Sequence, residues 1–144
     1  MHNSDLLLSL ADLSDRAEYL LGKIKSQGMD QAEVDVSSSV GFSVSARQGK
    51  CDSLEQNIDQ SLSLTIYNNH CVSTVNSTDL AYAALDKLVD KVVSQVKFVQ
   101  QDEHNGLATA SELAFDYPEL DLYHPADLTV SAAVELAIEM DHIA

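Results

Sequence analysis

The chain has 144 residues, of which 45% are hydrophobic, so it is long enough to bury a core as one domain. Its formal net charge is -15, from eight Lys and Arg residues against 23 Asp and Glu residues. Because phosphate contacts require Lys and Arg, this charge argues against nucleic-acid binding. The sequence shows neither the pattern of a secretory leader nor an apolar stretch of membrane-spanning length. We therefore expect a cytoplasmic protein that does not associate with a membrane.

The first predicted element is a helix. Apolar residues recur at helical spacing near the start of the chain: Leu6, Leu10, Leu13, Ala17, Leu20, Leu21 and Ile24. Ser4 or Asp5 is expected to cap its first turn, and Gly28 is expected to end it in a left-handed conformation.

Alternation with a period of two follows and predicts strands. Six apolar residues share one parity: Val34, Val36, Val40, Phe42, Val44 and Ala46. Between them, 37–39 is either a turn or a bulge. Gln48-Gly49 predicts a tight hairpin into 50–57, and Asn68-Asn69 predicts a second one into 70–76. Together these segments predict an antiparallel, or mixed, sheet of about five strands with one covered face.

A second helix is predicted from Thr78, with Ser77 or Thr78 as its cap and Asp79 in its first turn. A third helix is predicted from about Thr129 or Ser131. The fold class is therefore α+β, in the order α-β-β-β-β-β-α-loop-α, with helices packed on one face of the sheet. Residues 1–144 are expected to form one domain with three parts: a core over 1–99, a loop and acidic strap over 100–128, and the start of a further helix over 129–144.

The strap from Phe115 to Leu128 contains both prolines, three aromatic residues and four carboxylates. The prolines exclude a continuous helix. We predict an extended segment whose apolar side chains are anchored to a folded surface and whose carboxylates face water. From Phe98 to Ala144 there are ten Asp and Glu residues and no Lys or Arg. This region is either a solvated acidic surface or a face that meets a basic partner.

No catalytic constellation is visible. A catalytic zinc ion needs three protein ligands held close together, but no two of the five histidines lie within one helical turn. Asp102-Glu103-His104 is interpreted as a solvated bend in a loop. Two cysteines, Cys51 and Cys71, are too few for a disulfide framework, and a reduced, buried pair is expected.

Three segments, together with the strap and the helix after it, carry a family resemblance: Arg47-Gln48-Gly49, 59–67 (Asp-Gln-Ser-Leu-Ser-Leu-Thr-Ile-Tyr) and 73–80 (Ser-Thr-Val-Asn-Ser-Thr-Asp-Leu). In order and spacing they resemble the PmbA (TldE) branch of the TldD/PmbA family. The family is a set of bacterial metallopeptidase subunits that were once described as modulators of DNA gyrase.

The resemblance implies that residues 1–144 are the N-terminal domain of a longer chain. It implies a scaffold role in a zinc metallopeptidase complex that degrades or matures unfolded peptides, with this domain helping to form the chamber and the peptide access route. No cofactor and no catalytic group are expected in this domain. Zinc is expected in the C-terminal domain of a TldD-like partner subunit, in a heterodimer. Self-association is the other expected mode of assembly, and no nucleic-acid or membrane partner is expected.

The residues that match family motifs at turns are candidates for contact with a peptide or a partner subunit: Arg47, Gly49, Asn76, Ser77, Thr78 and Asp79. The competing interpretation gives these residues purely structural roles. Arg47 is then a surface charge, Gly49 is a turn residue, and Ser77 and Thr78 cap a helix. A different class of function is a stand-alone peptide-binding or assembly module that captures extended chains at a sheet edge.

Overall fold

The computed structural model describes residues 8–122, 124 and 128–143. The elements, in chain order, are α1 (Leu10–Ser26), β1 (Gln31–Arg47), β2 (Lys50–Asn68), β3 (Cys71–Ser77), α2 (Tyr82–Val96), a 3-10 turn (Ala110–Glu112) and α3 (Val130–Ile143).

The chain divides into two compact units. Unit 1 comprises 1–39 and 59–113, and unit 2 comprises 40–58 and 114–144. That residues 1–144 form one domain of a longer chain stays a prediction. Within the described ranges, no helix is long and apolar enough to cross a membrane.

The α+β class is confirmed, but the prediction of about five strands is wrong. The sheet has three strands in the order β1-β2-β3, and its hairpin connections make it antiparallel. Residues 37–39 form neither a turn nor a bulge that ends the strand, because β1 runs unbroken from Gln31 to Arg47. Likewise, the segments 50–57 and 62–66 are two ends of β2, which contains no glycine or proline to interrupt it.

Both hairpins turn through two residues with positive φ. Gln48 (φ 55°) and Gly49 (φ 71°) join β1 to β2, as predicted. The second turn lies one residue beyond its predicted place, at Asn69 (φ 48°) and His70 (φ 58°). Two positive φ values define the type I′ turn, whose twist suits a two-residue hairpin.

The buried core lies in unit 1, where α1 and α2 cover one face of the sheet. The fully buried side chains come from both helices and from the central strand: Leu20, Ile24, Leu62, Leu64, Ile66, Leu85 and Val92. Burying each such side chain contributes about 1.5–3 kcal/mol. Burial on one face of β2 only confirms that the helices pack on a single face of the sheet.

The first helix begins at Leu10, and its cap is a Ser9–Asp12 capping box. The Ser9 hydroxyl and backbone N–H both donate to the Asp12 carboxylate, which lowers the pKa of Asp12. The caps predicted at Ser4 and Asp5 lie outside the described residues. Gly28, with φ 73°, follows the helix end in the left-handed conformation that was predicted.

A polar cluster joins α1 to α2 at the surface. The Tyr19 hydroxyl donates to Asp86 Oδ1 at 2.7 Å, and Lys23 Nζ lies 3.0 Å from the same oxygen. The Tyr19 hydroxyl and then the Lys23 ammonium lower the pKa of Asp86. In return, Asp86 raises the pKa of Lys23. The Tyr19 ring also meets the Tyr82 ring edge to face, with centroids 4.9 Å apart.

Unit 2 contains the far ends of β1 and β2, the strap and α3. The described part of the strap over 115–122 has no regular structure, which agrees with the exclusion of a continuous helix, but Asp121 has φ 48° and so departs from the predicted extended geometry. However, the prediction that its apolar side chains are anchored is wrong for the described ones, because Phe115, Tyr117, Leu120 and Leu122 are all exposed. Tyr123 lies outside the described residues. Unit 2 has no packed core for these side chains to join, since Ala133 is its one buried residue in the described part of the chain.

Candidate functional site

An open cleft lies at the end of the β2–β3 hairpin, within unit 1. Its volume is about 510 Å³. The lining comes from two strand ends and from the connection to α2: Ser61, Leu62, Ser63, Asn76, Ser77, Thr78 and Asp79. Four of the six candidate residues, Asn76 to Asp79, therefore lie together at this cleft.

The connection from β3 to α2 is shaped by two local turns. The Ser77 hydroxyl accepts the Asp79 backbone N–H at 3.0 Å and donates to the Asp79 carbonyl oxygen at 3.0 Å. Asp79 Oδ1 then accepts the Ala81 backbone N–H at 2.9 Å. Such bonds offer the backbone an alternative to the helix.

The helix-cap prediction is consequently wrong. The second helix begins at Tyr82, its N-cap is Ala81, and no side chain caps it. Ser77 and Asp79 bond to nearby non-helical backbone instead. Thr78 and Asp79 are exposed, whereas Leu80 is buried in the core. The helix begins four residues after its predicted start at Thr78, so the polar side chains of the connection line the cleft instead of the first helical turn.

The sheet face opposite the helices is mostly polar where it lies in unit 1, apart from the Tyr67–Val72 pair next to the turn. In the β2–β3 register, Ser63 lies opposite Asn76 and Thr65 lies opposite Thr74. The Thr65 and Thr74 hydroxyls are 2.9 Å apart, and the Ser37 and Ser61 hydroxyls are 2.8 Å apart. We call these six residues the polar face: Ser37, Ser61, Ser63, Thr65, Thr74 and Asn76. Hydroxyl and amide groups both donate and accept, so this face can hydrogen-bond to peptide groups of either polarity.

The third strand forms one edge of the sheet. In a two-residue hairpin, the residues that flank the turn exchange backbone hydrogen bonds, so Asn68 and Cys71 form such a pair. Alternate residues of β3 therefore direct their N–H and C=O groups away from β2: Val72, Thr74 and Asn76. Among the described residues, no segment on that side makes a backbone hydrogen bond to these three. An extended chain can pair with an edge of this kind.

The other two candidate residues lie in unit 2, at the tip of the β1–β2 hairpin. Arg47 is exposed at the end of β1. The Gly49 N–H donates to Asp141 Oδ2 at 2.7 Å, and a Cβ at this position would lie 2.9 Å from His142 Nε2. Gly49 therefore makes the turn and also contacts the last turn of α3. The candidate residues form two separate sites. Arg47 and Gly49 belong to unit 2, whereas Asn76 to Asp79 belong to unit 1.

A second cleft, of about 530 Å³, was not predicted. It lies in unit 1, between the β2–β3 turn and the loop at 103–107. The Asn105 side-chain amide donates to the His70 carbonyl oxygen at 3.0 Å, and the Leu107 N–H donates to Gln31 Oε1 at 2.9 Å. These bonds fasten the loop to the sheet. The interpretation of Asp102-Glu103-His104 as a solvated bend is confirmed, because all three residues are exposed and Asp102 accepts the His104 N–H.

Metal donors do not cluster in the described part of the chain. No group of three or more His, Cys, Asp and Glu side chains there could hold a metal ion. Both cysteines are free, but the expectation that they are buried is wrong, because Cys51 is exposed and Cys71 is only half-buried. The polar groups of the first cleft can bind and orient a ligand by hydrogen bonding.

Comparison with known proteins decides the family. Residues 32–96 match the model of the first domain of the PmbA/TldA metallopeptidases. The metalloprotease PmbA of Escherichia coli O157:H7 is 36% identical over 122 residues, which cover 85% of this chain and 27% of that protein. A PmbA homologue from Haemophilus influenzae is 34% identical over 113 residues, covering 78% of this chain and 25% of that protein.

The chain belongs to the PmbA/TldD family.

The match to the PmbA/TldA model runs from β1 into α2, so it includes the first hairpin, the cleft and the polar face. The fold is shared with a protein of known structure from Bacteroides thetaiotaomicron that is described as a modulator of DNA gyrase. The two structures align with a TM-score of 0.81 at 22% identity, over 91% of this chain and 30% of that one. This chain spans about a quarter of the length of the curated PmbA relatives that it matches.

Proposed function

We propose that this chain is the N-terminal scaffold domain of a PmbA-type subunit in a TldD–PmbA zinc metallopeptidase complex. In this proposal, the complex degrades or matures unfolded peptides. The domain forms part of the wall of the chamber and shapes the route by which a peptide reaches the catalytic groups. The observation that supports it most directly is the sheet of unit 1, which is covered by helices on one face and open and polar on the other.

The chemistry of the open face suits an unfolded peptide of arbitrary sequence. An extended chain offers N–H and C=O groups at every residue, whatever its side chains. The hydroxyls and the amide of the polar face can hydrogen-bond to both kinds of group. The cleft continues this surface at Asn76 to Asp79, where exposed polar side chains end the strand. A surface of this kind guides peptides without selecting a particular side chain.

We place the bond-breaking chemistry outside this chain. The residues that would hold zinc are assigned to the C-terminal domain of a TldD-like partner. Two points support that assignment: the curated relatives are named metalloproteases, and about three quarters of their length lies outside the matched region. A groove that binds peptide through hydroxyls and amides supplies neither a zinc ligand set nor an activated nucleophile.

The test is reconstitution of the complex. A full-length protein carrying this domain is co-expressed with a TldD-like subunit, and cleavage of an unfolded peptide is measured with and without a chelator. We expect zinc-dependent cleavage by the co-purified complex. The cleft variant Asn76→Ala should raise KM for the peptide, whereas Asn57→Ala, an exposed asparagine on β2 in unit 2, should leave KM unchanged. Failure to pair, or to support cleavage, would count against the proposal.

A second candidate function is favoured by the unpaired edge of β3. A stand-alone module would capture extended peptides there by strand addition. Fluorescence anisotropy of a labelled unfolded peptide with the 144-residue chain separates the two functions. A chamber wall alone should bind almost nothing, whereas a capture module should bind the peptide and lose binding when alternate peptide nitrogens are methylated. Methylation removes the N–H donors that an added strand needs.

A further inference from the structure

Unit 2 exposes an unusual amount of apolar surface. On the strap, Tyr117 is 79% exposed and Leu122 is 82% exposed. On α3, Met140 is 62% exposed and Ile143 is 80% exposed. We define the unit 2 apolar surface as seven residues: Phe115, Tyr117, Leu120, Leu122, Leu136, Met140 and Ile143. Single exposed apolar residues are normal, but seven in one small unit exceed what scattered exposure accounts for.

The helix α3 is apolar on two sides. Its inner side carries Ala133, Val134, Ala137 and Ile138, which are buried or half-buried. Its outer side carries Leu136, Met140 and Ile143, spaced by four and three residues, so they lie on one stripe. An apolar stripe on a helix normally faces a covering layer. The outer stripe of α3 therefore lacks a covering layer within the described residues.

The charges around this surface indicate what can cover it. Five exposed carboxylates lie on the same two segments: Asp116, Glu119, Asp121, Glu135 and Glu139. No Lys or Arg occurs from Phe98 to Ala144. If two copies of the chain met through these two segments, carboxylates would face carboxylates, and neither segment carries a Lys or Arg to offset the repulsion, which is unfavourable. The complementary surface is apolar at its centre and carries Lys or Arg at its rim.

We infer that the unit 2 apolar surface is the docking site for the region of a PmbA-type chain that lies outside this domain. This inference rests on the proposed function, in which the domain is one part of a longer subunit. The curated relatives carry about three quarters of their length outside the matched segment. A covalently attached region reaches millimolar effective concentration, so a modest apolar contact suffices to hold it. Docking would supply the core that unit 2 lacks.

The experiment compares hydrogen exchange of 115–122 and 130–143 in two proteins. One is the 144-residue chain, and the other is a chimera in which this chain replaces the matched segment of the Escherichia coli PmbA relative. We expect exchange in these segments to be at least about tenfold slower in the chimera, since docking buries them. Leu136→Glu should abolish the added protection. Leu21→Glu, an equally drastic change at an exposed leucine of α1, should retain it.

A second pair of variants tests the charge complementarity. Glu139→Lys should accelerate exchange in the chimera, whereas Glu18→Lys on α1 should not. Met140→Glu repeats the apolar test at a more exposed position, and far-UV circular dichroism shows whether each variant is folded.

Three results would overturn the inference. They are equal exchange in the chain and the chimera, protection that arises when the 144-residue chain alone is concentrated, and protection that requires a TldD-like subunit. None of these measurements involves peptide cleavage. The docking inference can therefore be refuted while the proposed peptidase function stands, and the proposed function can be refuted while the docking inference stands.

Discussion

Gly49 offers the sharpest test of how the structure constrains a candidate site residue. Its φ of 71° lies in the left-handed region, where a Cβ costs about 1–2 kcal/mol. Replacing glycine by alanine also restricts the unfolded chain, which offsets about 0.4–1 kcal/mol of that cost. The net loss expected for Gly49→Ala is therefore about 1 kcal/mol. The new Cβ would lie 2.9 Å from His142 Nε2, but that exposed ring can rotate away and adds little.

The loss should be local to unit 2. The Gly49 N–H donates a hydrogen bond to Asp141 at the end of α3. Backbone strain that alanine introduces at the turn should therefore weaken the contact between the hairpin and the helix. A change of about 1 kcal/mol raises the population of an opened state roughly fivefold. Hydrogen exchange of the hairpin tip and of the last turn of α3 should accelerate by about that factor, while exchange in α2 stays unchanged.

Two controls separate the causes. Gly41 lies in β1 without a positive φ, and nothing lies within 4 Å of a Cβ built there, so Gly41→Ala should not accelerate exchange. The double variant Gly49→Ala with His142→Ala removes the ring contact. The acceleration should persist, because backbone strain is its main cause. Equal exchange rates in Gly49→Ala and Gly41→Ala would refute this reasoning.

Three further predictions concern unit 1. Leu85→Ala removes a fully buried side chain of α2 and should lower the free energy of unfolding in urea by about 2–5 kcal/mol; a loss below about 1 kcal/mol would show that the core is not where we place it. Ser38→Ala should be neutral or stabilising by up to about 1 kcal/mol in the same assay, because the buried Ser38 hydroxyl has no hydrogen-bond partner among the described residues; a clear loss would reveal one. The lowered pKa of Asp86 means that its stabilising effect is present above the ordinary value of 3.8 and is lost as pH falls through the lowered pKa. Asp86→Asn should therefore flatten the dependence of stability on pH in that acidic range, and an unchanged slope would contradict the role given to Tyr19 and Lys23.

The sequence predicted the class of fold because its two periodicities are clear. The helical stripes of α1 and α2 and the alternation around Val34 and Leu62 correspond to the observed elements. The number of strands was wrong because polar stretches were interpreted as interruptions. Leu54, Ile58, Leu62 and Ile66 keep one parity through β2, and no glycine or proline intervenes. The regular alternation of apolar positions along the segment therefore predicted strand continuity better than the polar stretches within it did.

The start of α2 could not be predicted from cap preferences alone. Serine, threonine and aspartate favour both helix caps and local turns, for the same hydrogen-bonding reason. Ser77 and Asp79 form turns, and Leu80 is buried in the core before the helix begins at Tyr82. The cleft that results depends on where β3 ends against β2, which sequence patterns do not specify. Motif resemblance nevertheless led to Asn76 to Asp79, which line it.

Exposure in the strap could not be predicted for a related reason. Phe115 and Leu122 have the composition of anchored residues, and an extended segment rich in apolar side chains normally contacts a folded surface. Whether such a contact forms depends on whether the neighbouring elements build a packed core. In unit 2, Ala133 is the one buried residue in the described part of the chain, so there is no such core for the strap to join. The strap is therefore better explained as one half of an interface than as part of a finished core.

The central claim is that this chain builds a peptide-guiding scaffold and that the catalytic groups belong to another polypeptide region. The most direct test incubates the purified 144-residue chain with an unfolded peptide and added zinc, and follows cleavage by mass spectrometry. We expect no turnover by the chain alone. Chelator-sensitive cleavage that co-elutes with the 144-residue chain, in the absence of any other subunit, would contradict the claim.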